Sequence, residues 1–249
     1  MASEKTRLDI LLMEKALVQS RERARALIMT GNVMVNGIPV DKPGTKIQND
    51  ARISLKGNDI PYVSRGGLKL ESALLRLNLD IKGMVCMDIG ASTGGFTDCL
   101  LQFGADKVYA VDVGYGQMAW SLRRDPRVKV MERTNIRFMP FETVGCRVDI
   151  VTVDTSFISL KLVVPAAEKF MKENTLVLAL VKPQFEAGRE RLGKGGVVRE
   201  PAVRQAIIEE MEFFFRKRGY ETGTVLESPV KGPKGNVEFI LPMKYVQSG

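Results

Sequence analysis

Short apolar segments alternate with amphipathic ones over most of the chain beyond residue 67. Five of them have the length and composition of buried strands, at residues 83–89, 106–113, 127–133, 148–154 and 175–181. Apolar residues at helical spacing separate several of these segments, most clearly in 95–105 and 162–172. Strands that alternate with helices predict a doubly wound α/β domain with a mostly parallel sheet.

The end of the chain departs from this alternation. Residues 202–219 carry a long helical pattern, and two strand-like segments follow at 221–229 and 236–243. Because the loop between these segments is short, they are predicted to form an antiparallel hairpin at the edge of the sheet.

The first 60 residues predict a separate, small α+β unit of two helices and a hairpin. Thr6 and Ser20 are placed to cap the two helices, and Gly31 to end the second. The predicted inward positions of the helices are Leu8, Leu11, Leu12, Ala24, Leu27 and Ile28. Asn36-Gly37, between alternating apolar residues, predicts a type I′ turn, and residues 51–55 one more strand. Residues 61–67, with a proline and paired glycines, are predicted to be a linker, which leaves 68–249 to the α/β domain.

Composition narrows the classes of function. The 249 residues include no histidine and carry a net charge of +8. Without histidine, Ser-His-Asp and Cys-His nucleophilic sites and imidazole metal sites are excluded. Cys86, Cys99 and Cys146 are widely spaced and are predicted to be packed thiols, not a disulfide framework or a zinc site. The positive charge suits a polyanionic partner, and the absence of a signal peptide or long apolar span favours a cytoplasmic protein.

A glycine-rich loop follows the first strand of the predicted α/β domain, directly after Asp88. The candidate cofactor contacts here are Asp88 itself, Gly90, Ala91, Ser92, Thr93, Gly94, Gly95 and Phe96. Glycine permits a sharp turn and a close approach of the ligand, and Asp112, beside Val113 at the end of the second strand, can bind ribose hydroxyls. A dinucleotide fold would favour the pattern G-x-G-x-x-G beside a pyrophosphate. Asp88, just before the first glycine, instead repels a pyrophosphate and tolerates a sulfonium.

Four charged residues are predicted to meet in one crevice. Lys69 precedes the first strand, Asp154 and Lys182 end the fourth and fifth, and Glu238 interrupts the last apolar segment. Ligands bind at the carboxyl ends of parallel strands. Each residue also has a purely structural interpretation. Lys69 could be a solvated helix residue, Asp154 a helix cap, Lys182 a strand-end charge, and Glu238 a charge that protects an edge strand from aggregation.

The motifs RLDILL and SRERARALIMTGNVMVNG follow each other along the chain. Together, in this order, they resemble the S4 RNA-binding domain. In that family the second helix lies on RNA phosphates, which implies this role for the arginines of residues 21–25. The candidate RNA contacts are Arg7, Arg21, Arg23, Arg25 and Arg65. A solvated, arginine-rich helix face is the structural alternative.

The loop D-I-G-A-S-T-G-G-F resembles the S-adenosylmethionine-binding loop of class I methyltransferases. The resemblance implies that Asn135 of this chain contacts the adenine and that Asp154 also borders the cofactor. SRGGLK, VTVDTSF, LALVKPQFE and NVEFI resemble the Lys-Asp-Lys-Glu tetrad of FtsJ-like ribose 2′-O-methyltransferases. The resemblance implies that Lys182 is the general base beside Lys69, and that Asp154 and Glu238 orient the lysines and the hydroxyl. A lysine can act as a base only where burial or a neighbouring cation lowers its pKa.

The whole chain resembles the TlyA family, often labelled hemolysin-like, whose members are assigned as ribosomal RNA cytidine 2′-O-methyltransferases. This implies S-adenosylmethionine as cofactor and ribosomal RNA or ribosomal subunits as substrate. Other acceptors fit less well. Methylation of a cytosine carbon needs a cysteine nucleophile at or after the fourth strand, and this chain has none there. Enzymes that methylate amino groups typically have the motif Asn/Asp-Pro-Pro-Tyr after the fourth strand, where this chain has Asp154-Thr155-Ser156-Phe157. A membrane-active hemolysin and an S4 RNA-binding protein without transferase activity stay as alternatives.

One long loop, residues 186–201, is rich in glycine and basic residues. Connectors of this length are uncommon unless they are functional. The composition predicts a mobile lid with Arg189, Arg191 and Lys194 on RNA phosphates, and a solvated loop is the alternative.

Overall fold

The computed structural model describes residues 5–15, 17–18, 21–55, 60–193 and 195–246. The chain forms two compact units, Met1–Pro61 and Tyr62–Gly249. The predicted cap Ser20 and the predicted RNA contact Lys194 lie outside the described residues, as does the side chain of Arg189.

The first unit is a small α+β fold. Its elements are β1 (Lys5–Arg7), α1 (Leu8–Glu14), α2 (Arg21–Met29), β2 (Val33–Val35), β3 (Ile38–Pro39), β4 (Lys46–Gln48) and β5 (Ile53–Leu55). Strand β2 pairs with β3 and β5, and β1 pairs with β4, all antiparallel. Asn36 and Gly37 have φ angles of 50° and 82°, which confirms the type I′ turn. Of the six predicted inward residues all but Leu27, which is half-buried, are buried, and Leu8, Ala24 and Ile28 lie in one apolar cluster.

The start of α1 differs from the prediction. Thr6 does not cap the helix, because it lies in β1 opposite Ile47, and the residue at the N-cap is Arg7. Asp9 in the first turn is fully buried and accepts hydrogen bonds from Arg7 and Arg21. These bonds, that from Arg7 above all, lower the pKa of Asp9 to about 2.

The second unit is an α/β fold. Its helices are α3 (Gly66–Arg76), α4 (Gly95–Gln102), α5 (Trp120–Arg124), α6 (Leu160–Ala167), α7 (Pro183–Glu186) and α8 (Pro201–Lys217). Its strands are β6 (Val85–Ile89), β7 (Lys107–Val111), β8 (Val128–Met131), β9 (Val148–Val153), β10 (Met171–Val181), β11 (Tyr220–Thr222), β12 (Leu226–Glu227) and β13 (Phe239–Tyr245).

The strands of the described second unit form one sheet in the order β11-β13-β10-β9-β6-β7-β8, and β12 also pairs with β13. Strands β6 to β10 are parallel, and β13 is antiparallel to β10. All five predicted strands are present, which confirms the mostly parallel α/β fold. Along the chain the sheet is built from β6 through β7 to β8, and it then continues with β9 on the other side of β6. In open α/β sheets, ligands bind at such a reversal of strand order.

The last strand is not an edge strand. The prediction treated the segment around Glu238 as an edge, but β13 lies between β10 on one side and β11 and β12 on the other. Protection of a free edge therefore does not explain the charge of Glu238.

Residues 62–67 pack within the second unit, whereas a linker was expected there. The ring of Tyr62 is buried, and its hydroxyl donates to Glu71 at 2.9 Å. The backbone N–H of Val63 donates to Asp98 at 2.8 Å. A side chain at Gly67 would collide with the ring of Tyr62. The segment before α3 therefore forms part of the fold that carries the site.

Candidate active site

The glycine-rich loop turns from β6 into α4 through residues that leave no room for larger side chains. A Cβ atom at Gly90 would lie 2.7 Å from the carbonyl oxygen of Asp154, and Gly90 has a φ of 85°. A Cβ at Gly95 would lie 2.2 Å from Oγ of Ser64. The loop therefore lies directly against the end of β9 and against the segment before α3, and glycine is required for both approaches.

Asp112 holds this loop from the end of β7. Its carboxylate accepts the backbone N–H of Ser92 at 2.7 Å and that of Gly114 at 2.6 Å. Each carboxylate oxygen keeps a further acceptor site. The side chain also lines a cavity of about 490 Å³, together with Val113, Asn135 and apolar residues such as Ile136.

Asp88 lies beneath the loop and not in a cavity. It is fully buried and accepts hydrogen bonds from the hydroxyls of Thr97 at 2.7 Å and Thr152 at 3.0 Å. Burial raises the pKa of Asp88 to about 7. The side chain thus joins β6, α4 and β9, and its role in the fold is to support the loop. Gly94, the residue at the N-cap of α4, also lines neither cavity. It packs against the side chain of Leu122 in α5.

The four predicted catalytic residues meet as two ion pairs in one cavity of about 330 Å³. Nζ of Lys69 lies 2.5 Å from Oε2 of Glu238, and Nζ of Lys182 lies 2.5 Å from Oδ1 of Asp154. Lys69 is 9% exposed, Lys182 7% and Glu238 0%. Two structural interpretations are therefore wrong: Lys69 is not solvated, and the cap of α6 is Ser159, not Asp154.

One oxygen of Glu238 stays available in this cavity. Its Oε1 atom is buried and has no hydrogen-bond partner among the described residues, while Oε2 binds Lys69. A Cβ at Gly232 would lie 2.0 Å from this Oε1. The absence of a side chain at Gly232 therefore makes room for this oxygen. A buried acceptor without a partner is costly, and a hydroxyl donor placed in the cavity would satisfy it.

The two cavities adjoin each other. Gly90, Ser92, Asp154 and Ser156 line both of them. The predicted cofactor contacts in their walls are Gly90, Ala91, Ser92, Thr93, Gly95, Phe96, Asp112, Val113, Asn135 and Asp154. One cavity carries the ion pairs and the other carries Asp112 and Asn135, so the arrangement can hold two ligands side by side.

The cysteines take no part in this site. Cys86 and Cys99 are buried, and burial raises the pKa of each thiol to about 12. Both thiols are therefore protonated at neutral pH and poor nucleophiles. No group of metal-binding residues was found in the described part of the chain.

Several predicted RNA contacts form ion pairs within the protein. Arg7 and Arg21 bind the buried Asp9, and Arg191 lies 2.6 Å from Glu210. Arg25 and Arg65 are exposed, and Arg23 is half-buried. Arg7 and Arg21 thus have a structural role in the first unit, whatever else they contact.

The loop after α7 is anchored by its neighbours. The amide of Asn236 accepts from the backbone N–H of Val198 and donates to the carbonyl of Gly196 at 3.4 Å. Lys234 donates to the carbonyl of Gly195 at 3.1 Å. These contacts tie the loop to the turn before β13, so the described part is not arranged as a free lid.

Sequence reasoning missed three exposed aromatic–arginine pairs. Arg133 lies 4.1 Å from the ring centre of Tyr115, Arg124 4.7 Å from that of Trp120, and Arg137 5.3 Å from that of Phe138. All three rings are more than half exposed. They follow β7 and β8 at the carboxyl edge of the sheet, and we call these six residues the aromatic–arginine rim. Arg137-Phe138 are adjacent and Trp120 and Arg124 are four residues apart on one helix, so these two pairs carried a local signal, whereas Tyr115 and Arg133 are distant in the sequence.

Comparisons with known proteins show the family to which each part of the chain is similar. The family profile of FtsJ-like methyltransferases matches residues 62–245, and that of the S4 domain matches residues 6–53. The 16S/23S rRNA (cytidine-2'-O)-methyltransferase TlyA of Mycobacterium tuberculosis is 43% identical over 96% of this chain and 90% of its own length. Hemolysin A of Brachyspira hyodysenteriae is 39% identical over 94% of this chain and 98% of its own length.

Solved structures show the same fold. A protein from Streptococcus thermophilus, described as a hemolysin, superposes with a TM-score of 0.77 at 44% identity, covering 99% of this chain and 90% of its own. A methyltransferase structure from Listeria monocytogenes shares the fold at 16% identity and a TM-score of 0.54, over 74% of this chain and all of its own. Within the described residues, no helix has the length and apolar character that a membrane crossing needs.

Proposed function

The chain belongs to the FtsJ-like methyltransferase family and carries an S4 domain, and from this premise we propose that it methylates a ribose 2′-hydroxyl of ribosomal RNA. The observation that carries the proposal is the pair of buried Lys-acid contacts in one cavity, Lys69–Glu238 and Lys182–Asp154. The name of the Mycobacterium tuberculosis relative supports ribosomal RNA and cytidine as the acceptor.

S-adenosylmethionine fits the larger cavity. Asp112 retains acceptor sites for two ribose hydroxyls, and the exposed Asn135 stands beside Ile136 where a base could be bound. Gly90 lines both cavities, and because it has no side chain the loop can lie directly against the end of β9 beside them. When bound, S-adenosylmethionine supplies an electrophilic methyl group on a sulfonium.

The smaller cavity supplies the acid–base chemistry. A ribose hydroxyl must lose its proton as its oxygen takes the methyl group, and without histidine a lysine is the available base. Lys182 is placed to accept this proton at Nζ, and Asp154 holds that amine at 2.5 Å. Glu238 offers its free Oε1 as an acceptor that orients the substrate, while Lys69 balances its charge. Positioning of the two reactants accounts for the rest of the rate.

RNA contacts extend over both units in this proposal. The S4 domain in the first unit binds the RNA through exposed positions such as Arg25. In the second unit the aromatic–arginine rim presents rings for unpaired bases and guanidinium groups for phosphates.

Methyl transfer from labelled S-adenosylmethionine to ribosomal RNA, followed by mapping of the product, tests the proposal. The expected product is a 2′-O-methylated ribose. Lys182→Met should bind the cofactor normally and lose about 10²–10⁴-fold in kcat. Full activity in that variant, or a methyl group on a base, would overturn the assignment.

A further inference from the structure

Ser156 stands where the two cavities of the second unit meet. It follows β9 two residues after Asp154, and it lines both the cavity of the ion pairs and the cavity of Asp112. The residue is exposed, and its hydroxyl oxygen accepts a hydrogen bond from Nζ of Lys182 at 3.0 Å. Lys182 therefore forms an ion pair with Asp154 and donates a hydrogen bond to Ser156.

These two contacts determine where the free valence of Lys182 lies. A neutral lysine amine has two N–H bonds and one lone pair around a tetrahedral nitrogen. Ser156 accepts a hydrogen bond from the amine, whereas the Asp154 carboxylate forms an ion pair with it at 2.5 Å, and Oδ1 of Asp154 has no hydrogen-bond partner among the described residues. The hydrogen bond to Ser156 therefore restricts rotation about the Cε–Nζ bond. Without that hydroxyl the amine could rotate, and the lone pair would take other directions.

The hydroxyl distinguishes the two lysines of the site. Lys69 donates a hydrogen bond to the carboxylate of Glu238, whereas Lys182 forms an ion pair with one carboxylate and donates a hydrogen bond to a neutral oxygen. The charged residues that line the same cavity are Arg65, Lys69, Asp154, Lys182, Lys231 and Glu238. Ser156 therefore fixes the direction of the amine and adds no charge to the site.

We propose that Ser156 is a positioning residue for methyl transfer, because its hydroxyl and Asp154 together hold Lys182 with its free valence toward the acceptor hydroxyl. The inference rests on the proposed function, in which Lys182 is the base. In the transfer, the acceptor oxygen forms a bond to the methyl carbon as the bond from carbon to sulfur breaks. The proton of the acceptor moves to Nζ of Lys182, and the Ser156 hydroxyl keeps its own proton.

Ser156→Ala tests the role, with Ser156→Thr as the conservative variant and Ser121→Ala, on the exposed surface of α5, as the control. In Ser156→Ala we expect a loss of about tenfold in kcat, with the KM for RNA and the Kd for S-adenosylmethionine within twofold of the parent. Ser156→Thr should recover most of the rate, and Ser121→Ala should match the parent.

The outcomes separate this inference from the proposed function. Parental kcat in Ser156→Ala would overturn it, while an inactive Lys182→Met would still support Lys182 as the base. A lower kcat with a weaker Kd for S-adenosylmethionine and no recovery in Ser156→Thr would also overturn it, since that result describes a damaged cofactor cavity. Activity in Lys182→Met would overturn the mechanism itself.

Discussion

Nζ of Lys69 lies 2.5 Å from Oε2 of Glu238, although 169 positions separate the two residues in the sequence. Glu238 is fully buried in the hairpin that completes the sheet, and Lys69 reaches it from α3. Neither charge has a local reason to be buried. Their contact therefore joins the start and the end of the second unit at the active site.

Breaking this pair should destabilise the fold. Lys69→Met leaves a buried carboxylate without a cation, and we expect the free energy of unfolding to fall by about 3 kcal/mol. The double variant Lys69→Met/Glu238→Leu should recover most of that loss but remain inactive. Urea denaturation of the parent, both single variants and the double variant measures the coupling. Simple addition of the two single effects would show that the pair contributes nothing.

Gly232→Ala should reduce activity through Glu238. The new Cβ would lie 2.0 Å from Oε1, so either the turn or the carboxylate must move. We expect kcat to fall at least about tenfold, with a loss of about 1–3 kcal/mol in stability from overpacking. Gly235→Asn, in the same turn, is the matched control, because nothing lies within 4 Å of that position and asparagine tolerates its φ of 83°. Equal kcat in both variants would contradict the role given to Oε1.

Asp112→Asn should weaken cofactor binding more than it changes kcat. The amide keeps the shape of the side chain but loses the charged acceptor for ribose hydroxyls, so we expect at least about tenfold weaker binding of S-adenosylmethionine by calorimetry. Asp106→Asn, at an exposed position next to β7, should bind as the parent does. A parental Kd in Asp112→Asn would place the ribose elsewhere.

The buried Asp88 predicts a specific dependence of stability on pH. Its pKa is raised from 3.8 to about 7 in the folded protein. Between these values the folded state holds a proton that the unfolded state has released, so the contribution of Asp88 to stability falls as pH rises from about 4 to about 7 and is constant above. The stability difference between the parent and Asp88→Asn, measured by denaturation from pH 5 to pH 8, should show this decline. A difference that is the same at every pH would refute it.

Variants of the aromatic–arginine rim should separate stacking from phosphate contact. Arg133→Ala should weaken RNA binding. It should also reduce the slope of log Kd against log salt concentration by about one, the change that corresponds to the loss of one phosphate contact. Tyr115→Ala should weaken binding with little change in slope, since stacking carries no charge. Phe213→Ala is the control, because this exposed ring on α8 also has a cation, Lys217, 4.5 Å from its centre. Equal effects from the rim and the control would place the RNA elsewhere.

The local pattern of residues along the sequence was sufficient to predict much of the fold. The five parallel strands, the long helix α8 and the turn at Asn36-Gly37 follow from apolar periodicity and from glycine conformations, which act over a few residues. The same holds for the glycine-rich loop with Asp112, because strand, loop and acid are adjacent in the chain. Thr6 shows the limit of such local reasoning. It has the composition of a cap, but pairing of β1 with β4 takes it into a strand.

The sequence by itself limited the chemistry, since a chain without histidine has no imidazole base, and it placed Asp154 and Lys182 at predicted strand ends. Tertiary structure alone decided how Lys69, Asp154, Lys182 and Glu238 are paired, because the partners meet from segments that are distant in the sequence. It also decided that Asp88 supports the loop from below. Burial and pairing depend on neighbours distant in sequence, and no local pattern records them.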